Sequence, residues 1–232
     1  MTALESFRQS FERYCKEFNV QPSESLLNKI HKFCGRYTLD LSSSYLQSKV
    51  IDALSKALKY DALFTEIKLN NCQLNEEGSY IYAMLQLNVI FVFILQNNSM
   101  RGISVSYIAE LLRANTFIYS LHLDSNNIGL LESNFNDLCQ SLKVNRSLQI
   151  LGLSNNQLNS NCSKYLSDVF KYNNALQSLD LRWNKLGLIG GRQLSSMLDN
   201  NQVLQNLRLD GNDITIDTLQ TIGLYNYRIY IF

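Results

Sequence analysis

The sequence predicts a right-handed α/β solenoid in which short parallel strands line a concave side and helices a convex side, behind an N-terminal helical cap. Three observations carry this prediction. One spacing of apolar residues and asparagines returns seven times along the chain. Each return is followed by a stretch whose apolar residues recur at helical spacing. The composition agrees, since 46% hydrophobic residues can supply a core and a single proline leaves few breaks in it.

The cap comes first, over residues 1–34. Phe7, Phe11, Tyr14 and Phe18 fall on one helical face, and after Pro22 so do Leu26, Leu27, Ile30 and Phe33. Residues 35–225 then follow the pattern L-x-x-L-x-L-x-x-N-x-L. Its fourth places are Leu39, Ile67, Phe93, Leu121, Leu151, Leu179 and Leu207, whose positions step evenly along the chain apart from a shorter step before Phe93 and a longer one before Leu151. These residues are expected to centre seven parallel strands. Roughly 16 residues remain after each turn, room for about three helical turns. In two of these stretches Phe135, Leu138 and Leu142, and then Leu194, Met197 and Leu198, share a face. This is the frame of a leucine-rich repeat.

The ninth place holds Asn98, Asn126, Asn156, Asn184 and Asn212, with Ser44 and Cys72 in the first two repeats. An amide there can turn inward, donating to and accepting from turn backbone that no sheet ladder satisfies. The third strand departs from the pattern, because its outward places Phe91, Val92 and Ile94 are apolar. Either it is an apolar surface that binds something, or the short step before it marks locally irregular sequence over residues 85–100. It is too short and too polar to span a bilayer, which takes about 20 apolar residues. Residues 226–232 read as an atypical tail. Without a polar cap, Leu204, Leu207 and Leu219 are expected to stay exposed and the C-terminal end to self-associate.

A net charge of +1, from 21 basic and 20 acidic residues, gives no field that would gather nucleic acid or an anionic membrane. The opening MTALESFRQSFERYCKEF carries charges every few residues and so lacks a secretory signal; an intracellular, cytoplasmic chain is expected. Cys15, Cys34, Cys72, Cys139 and Cys162 contain no C-x-x-C pair, which suits reduced, buried thiols better than zinc ligands. With His31 and His122 as the two histidines, too few groups remain for a histidine-based triad or metal cluster, and no cofactor is expected. The GLIGGR run lacks the lysine and spacing of a phosphate loop, so Gly190 and Gly191 read as backbone geometry at a helix start.

Function is therefore expected on the concave face, where alternate strand side chains leave a rigid sheet. The candidate partner-binding residues are Tyr119, His122 and Asp124 in the fourth repeat, Asp180, Arg182 and Trp183 in the sixth, and Arg208 and Asp210 in the seventh. Trp183 is the single tryptophan. It is either an exposed anchor or a residue packed over the neighbouring turn.

The repeat type resembles the ribonuclease-inhibitor-like class of leucine-rich-repeat horseshoes. Within it, the cap ESFRQSFERYCKEFNVQPSESLLNKIHKF and the sixth repeat LDLRWNKLGLIGGRQL are similar to a family of centrosome-linker proteins. That resemblance implies a noncatalytic role at the centrosome, with rootletin-type linker proteins as partners in holding centrioles together. In that family a long coiled coil follows the repeats, whereas no heptad follows Leu224 here. Two alternatives share the repeat class: a Ran-type activator of a small GTPase, usually marked by a strongly acidic tail, and a cytosolic inhibitor that wraps an enzyme in its concave face.

Overall fold

The computed structural model of the chain describes residues 3–32, 37–59, 64–74, 90–198, 201–215 and 228–230. Eight strands form one parallel sheet in chain order: β1 Thr38–Asp40, β2 Glu66–Lys68, β3 Val92–Ile94, β4 Ser120–His122, β5 Ile150–Gly152, β6 Ser178–Asp180, β7 Asn206–Arg208 and β8 Arg228–Tyr230. The first seven are centred on the fourth-place residues, and those residues stand opposite one another from Leu39 to Leu207. All seven are buried. Because a strand has a side-chain period of two, sending the middle residue into the core sends both its neighbours to the open side.

Helices fill the other wall. They are α1 Ala3–Glu17, α2 Glu24–Lys32, α3 Ser48–Lys59, α4 Ile103–Ala114, α5 Glu132–Val144, α6 Ser160–Val169 and α7 Gly187–Leu198. Phe135, Leu138, Leu142, Leu194 and Leu198 point inward as their spacing requires, while the Met197 side chain lies outside the described residues. The cap joins the same core: Phe7 and Phe11 are buried, and the Phe7 ring meets Phe64 edge-to-face at 5.0 Å. Leu26 and Ile30 of α2 are buried as well, and Phe33 lies outside the described residues.

Three expectations need revision. β3 pairs in register with both neighbours and buries Phe93 and Leu95, so residues 90–100 form an ordinary repeat despite the short step before them; residues 85–89 lie outside the described residues. The sheet also continues into the tail. Ile229 stands opposite Leu207 after a step shorter than any within the frame, and Leu204 and Leu207 are 1% and 0% exposed rather than open. Leu219 lies outside the described residues. The third revision concerns the glycine pair. Gly187 carries the positive φ, 61°, at the start of α7, whereas Gly190 sits one turn inside. A Cβ on Gly190 would stand 2.6 Å from the buried Ser163 Oγ, so this glycine lets α7 approach α6 closely.

Two columns of asparagine hold the repeats together. In the turn column, Asn126 Oδ1 accepts from the Asn98 and Met100 N–H groups at 2.9 and 3.0 Å, and its Nδ2 donates to the Leu95 and Leu123 carbonyls. Asn98, Asn156 and Asn184 bond likewise to backbone of their own and adjoining turns. Asn212 donates to Leu181 and Leu209. In the first two repeats Ser44 Oγ accepts from Lys29, and Cys72 Sγ lies 3.3 Å from the Leu41 carbonyl.

The second column escaped the sequence reading. Asn115, Asn145, Asn173 and Asn201 lie just past the helices and are buried. Asn145 Nδ2 donates to the Leu112 and Asn115 carbonyls, and its Oδ1 accepts from the Ser147 and Leu148 N–H groups. Asn173 and Asn201 repeat this arrangement. Its signal was present, since each asparagine stands three places before the leucine or isoleucine that opens the next frame.

Candidate partner-binding surface

The open side of the sheet is uneven. At its centre Val92 and Ile94 of β3 stand half-buried, and the Phe91 ring lies 6.5 Å from that of Tyr119, each residue 40% exposed. Two strands beyond β3, the side chains stop. Gly152 ends β5 opposite His122 on one side and Asp180 on the other, and the gap it leaves opens a cavity of about 330 Å³. Ile150, Ser178, Asn206 and Arg208 complete its walls.

Asp124 leans over that gap. A Cβ on Gly152 would come within 2.5 Å of Asp124 Oδ2, so the carboxylate occupies room that only a glycine leaves. Oδ1 accepts from the Ser154 N–H and Oγ–H at 2.9 and 2.8 Å, and Oδ2 accepts from Gln96 Nε2 at 2.8 Å. Burial alone would raise its pKa, but hydrogen bonds from His122, Gln96 and Ser154 outweigh burial and hold it at about 2. Asp124 is therefore ionised.

Ser120, His122 and Asp124 follow one another along the open side in the order of a nucleophilic triad. Ser120 Oγ is 3.0 Å from His122 Nε2, and His122 Nδ1 is 3.7 Å from Asp124 Oδ2. Acyl transfer does not fit this geometry. Ser120 is 4% exposed, and the nearby Ser120 and Leu123 N–H groups donate within the sheet to Phe91 and Gly152, so neither serves as an oxyanion donor. Among the described residues no group of three metal-ligating side chains assembles.

On the far side of the gap Asp180 is held by cations. Arg182 Nε and Nη2 grip its two carboxylate oxygens at 2.7–3.0 Å, and Arg208 Nη1 lies 3.7 Å away. The hydrogen bond to Asp180 raises the Arg182 pKa above its ordinary value, with the Asp210 charge adding to it. Tyr119, His122, Asp124, Asp180, Arg182 and Arg208 thus lie along one continuous stretch of the face. Gln96, Ile150, Gly152 and Ser154 belong to it too. Gly152 could have been found from the strand core LGL, where its neighbours read LHL, LDL and LRL.

Trp183 lies off the strand, in the turn after β6. At this place all seven repeats adopt a left-handed backbone, and the others carry Ser43, Asn71, Asn97, Ser125, Asn155 and Gly211. Trp183 has φ 56° and remains 66% exposed, with one edge of its indole resting over Gly211. The ring touches the neighbouring turn and is at the same time open to solvent.

No family model matches the chain. It is 34% identical over 161 residues to leucine-rich repeat-containing protein 45 of Gallus gallus, an alignment covering 67% of this chain and 23% of that protein. The chain thus matches about a quarter of the length of this curated relative. An internalin from Listeria monocytogenes shares the fold, with a TM-score of 0.55 and 18% identity over 91% of this chain and 51% of the internalin. Leiomodin-1 actin-binding site 2 aligns at a TM-score of 0.48 with 20% identity, covering 78% of this chain and 90% of that one. With its frame, its parallel sheet and its likeness to the internalin, the chain has the leucine-rich-repeat solenoid fold and is similar in sequence to leucine-rich repeat-containing protein 45.

Proposed function

We propose that the chain is a noncatalytic protein-interaction scaffold, receiving its partner on the concave face of repeats three to seven and on Trp183. The observation that supports this most is Trp183 itself. A left-handed backbone costs an ordinary L-residue about 1–2 kcal/mol, which glycine escapes and asparagine largely escapes. A large aromatic side chain in that conformation, left mostly in water, suits an interface anchor better than a contribution to folding.

Likeness to leucine-rich repeat-containing protein 45, with the resemblance of cap and sixth repeat to centrosome-linker proteins, supports a cytoplasmic role in centrosome cohesion with rootletin-type partners. Proximity labelling in dividing cells tests this with the wild-type chain and Trp183→Gly, which keeps the turn geometry. Centrosome-linker proteins should dominate the wild-type profile and fall at least five-fold in the variant. A profile dominated by a small GTPase, with stimulated GTP hydrolysis, would favour the activator reading; one by a single cytosolic enzyme, with its inhibition, the inhibitor reading. Self-association would run through the outer edge of β8, an edge that can template another strand. Light scattering should then show a concentration-dependent dimer that deletion of residues 226–232 removes.

A further inference from the structure

We propose that the concave face takes a helical peptide segment carrying an aromatic or long aliphatic side chain and, about one turn further on, a lysine or arginine. The apolar group rests on Phe91, Val92, Ile94 and Tyr119, and the cation enters the notch at Gly152 against Asp124. This deepens the scaffold reading and rests on it.

The apolar half is a ledge. Val92 and Ile94 face the open side of β3, and the paired rings of Phe91 and Tyr119 extend the ledge to the start of β4. A face of side chains held by a parallel sheet cannot fold over to cover itself, so this ledge stays available to a partner.

The notch supplies the charge. Asp124 and Asp180 flank Gly152, yet they are satisfied differently. Asp180 already holds Arg182 in a two-pronged grip and has Arg208 at 3.7 Å. The hydrogen bonds to Asp124 come from His122, Gln96 and Ser154, and Arg182 acts on it through charge alone, from beyond salt-bridge distance. Among the described residues no lysine or arginine lies within salt-bridge distance of Asp124, so part of its field stays in the open cavity. The wider face has the same sign. Asp40, Glu66, Asp124, Asp180 and Asp210 outnumber Lys68, Arg182, Arg208 and Arg228 by one along these strand and turn positions, although the whole chain carries +1. The notch walls carry Asp124 and Asp180 against Arg208, whose charge is turned toward Asp180, so an entering carboxylate or phosphate meets Asp124 without a guanidinium beside it.

Spacing selects the occupant. Adjacent strands lie about 4.8 Å apart, so the step from the ledge on β3 and β4 to the notch on β5 is roughly 5–10 Å. A helix laid across the strands covers about 6 Å in four residues. An apolar residue at one position and a cation four residues on therefore meet both halves together.

The probe is a stapled 14-residue alanine–glutamine helix bearing phenylalanine and, four residues later, arginine, titrated into the isotope-labelled chain and followed by backbone amide shifts. Saturable shifts should centre on His122, Gly152 and Ser154. The same helix with glutamate in place of arginine should bind at least ten-fold more weakly, as should one with alanine in place of phenylalanine. Asp124→Asn should weaken the arginine helix about ten-fold and leave the glutamate helix unchanged or slightly tighter. Should that variant fold poorly, the charge swap in the peptide still decides the matter on wild-type protein. Equal binding of arginine and glutamate helices, shifts away from β3–β5, or no saturable shift would each overturn the proposal. Such a failure beside intact partner labelling through Trp183 would remove the notch and leave the scaffold reading standing.

Discussion

The inner wall and the open face are built from the same seven repeats, yet one barely changes along the molecule while the other changes at almost every step. Asparagine stands at the turn from Asn98 to Asn212 and past the helices from Asn115 to Asn201. The last residues of the strands run Asp40, Lys68, Ile94, His122, Gly152, Asp180 and Arg208 across the open side of the same sheet. Burial explains the contrast. Each turn presents backbone N–H and C=O groups that the sheet leaves unpaired, and a primary amide of this length is the side chain that both donates and accepts there. The open side asks nothing comparable of its residues, so its variation is free to record a partner.

The comparison breaks first if the two sides of one turn respond alike to substitution. Asn156→Ala orphans the Ile128 N–H and leaves the Leu123 carbonyl with Asn126 as its remaining side-chain donor, and should cost about 1–3 kcal/mol, read as a lowered denaturation midpoint. Asn173→Ala should cost a similar amount, since it strips the Leu142 carbonyl and the Leu176 N–H of their partner. A loss at Asn173 below about 0.5 kcal/mol, the low end for a single hydrogen bond, would mean that the second column does not hold the repeats together.

On the open face the largest effect is expected at low pH. Asp124 has its pKa lowered from 3.8 to about 2 in the folded chain, so the stability it contributes is present above about pH 4 and is lost as pH falls through 2. That contribution is about 2 kcal/mol, and the side chain, 13% exposed, is sheltered enough for it to survive screening. Asp124→Asn should flatten the fall in unfolding free energy between pH 4 and 2; an unchanged slope would mean that the carboxylate is not so held.

A smaller effect tests the close approach of the helices. Gly190→Ala should destabilise by about 1 kcal/mol, the overlap with Ser163 exceeding the gain in helix propensity, and Ser163→Gly should restore the loss. Additive behaviour of the two changes would separate the sites. The smallest effects belong to the left-handed turn places. Trp183→Gly should alter stability by less than about 1 kcal/mol, relief of backbone strain offsetting the lost contact over Gly211, and Asn155→Gly by less than about 0.5 kcal/mol. A drop at Trp183 of about 2 kcal/mol or more, the scale on which buried packing is lost, would make it a packing residue.

The strands were legible because a period of two and a nearly constant repeat leave one arrangement that buries every leucine, and all seven centres fell where the frame put them. The turn asparagines were legible by place. The second column was hidden because its asparagines fall between the frames, where no leucine pattern marks them, and β8 because Ile229 arrives sooner after Leu207 than any step in the frame allows. Trp183 was assigned to a strand because a linear frame says nothing of φ.

What the sequence determined alone is the solenoid, since a repeated apolar pattern can be buried only by stacking each unit on the next. Tertiary structure decided the candidate site. His122, Gly152 and Asp180 belong to three successive repeats and become neighbours through the parallel register, which also brings Asp124 over the one strand end without a side chain. Their charges, their gap and their exposure are properties of that adjacency, and adjacency across strands follows from how the turns stack rather than from the order of residues within any one repeat.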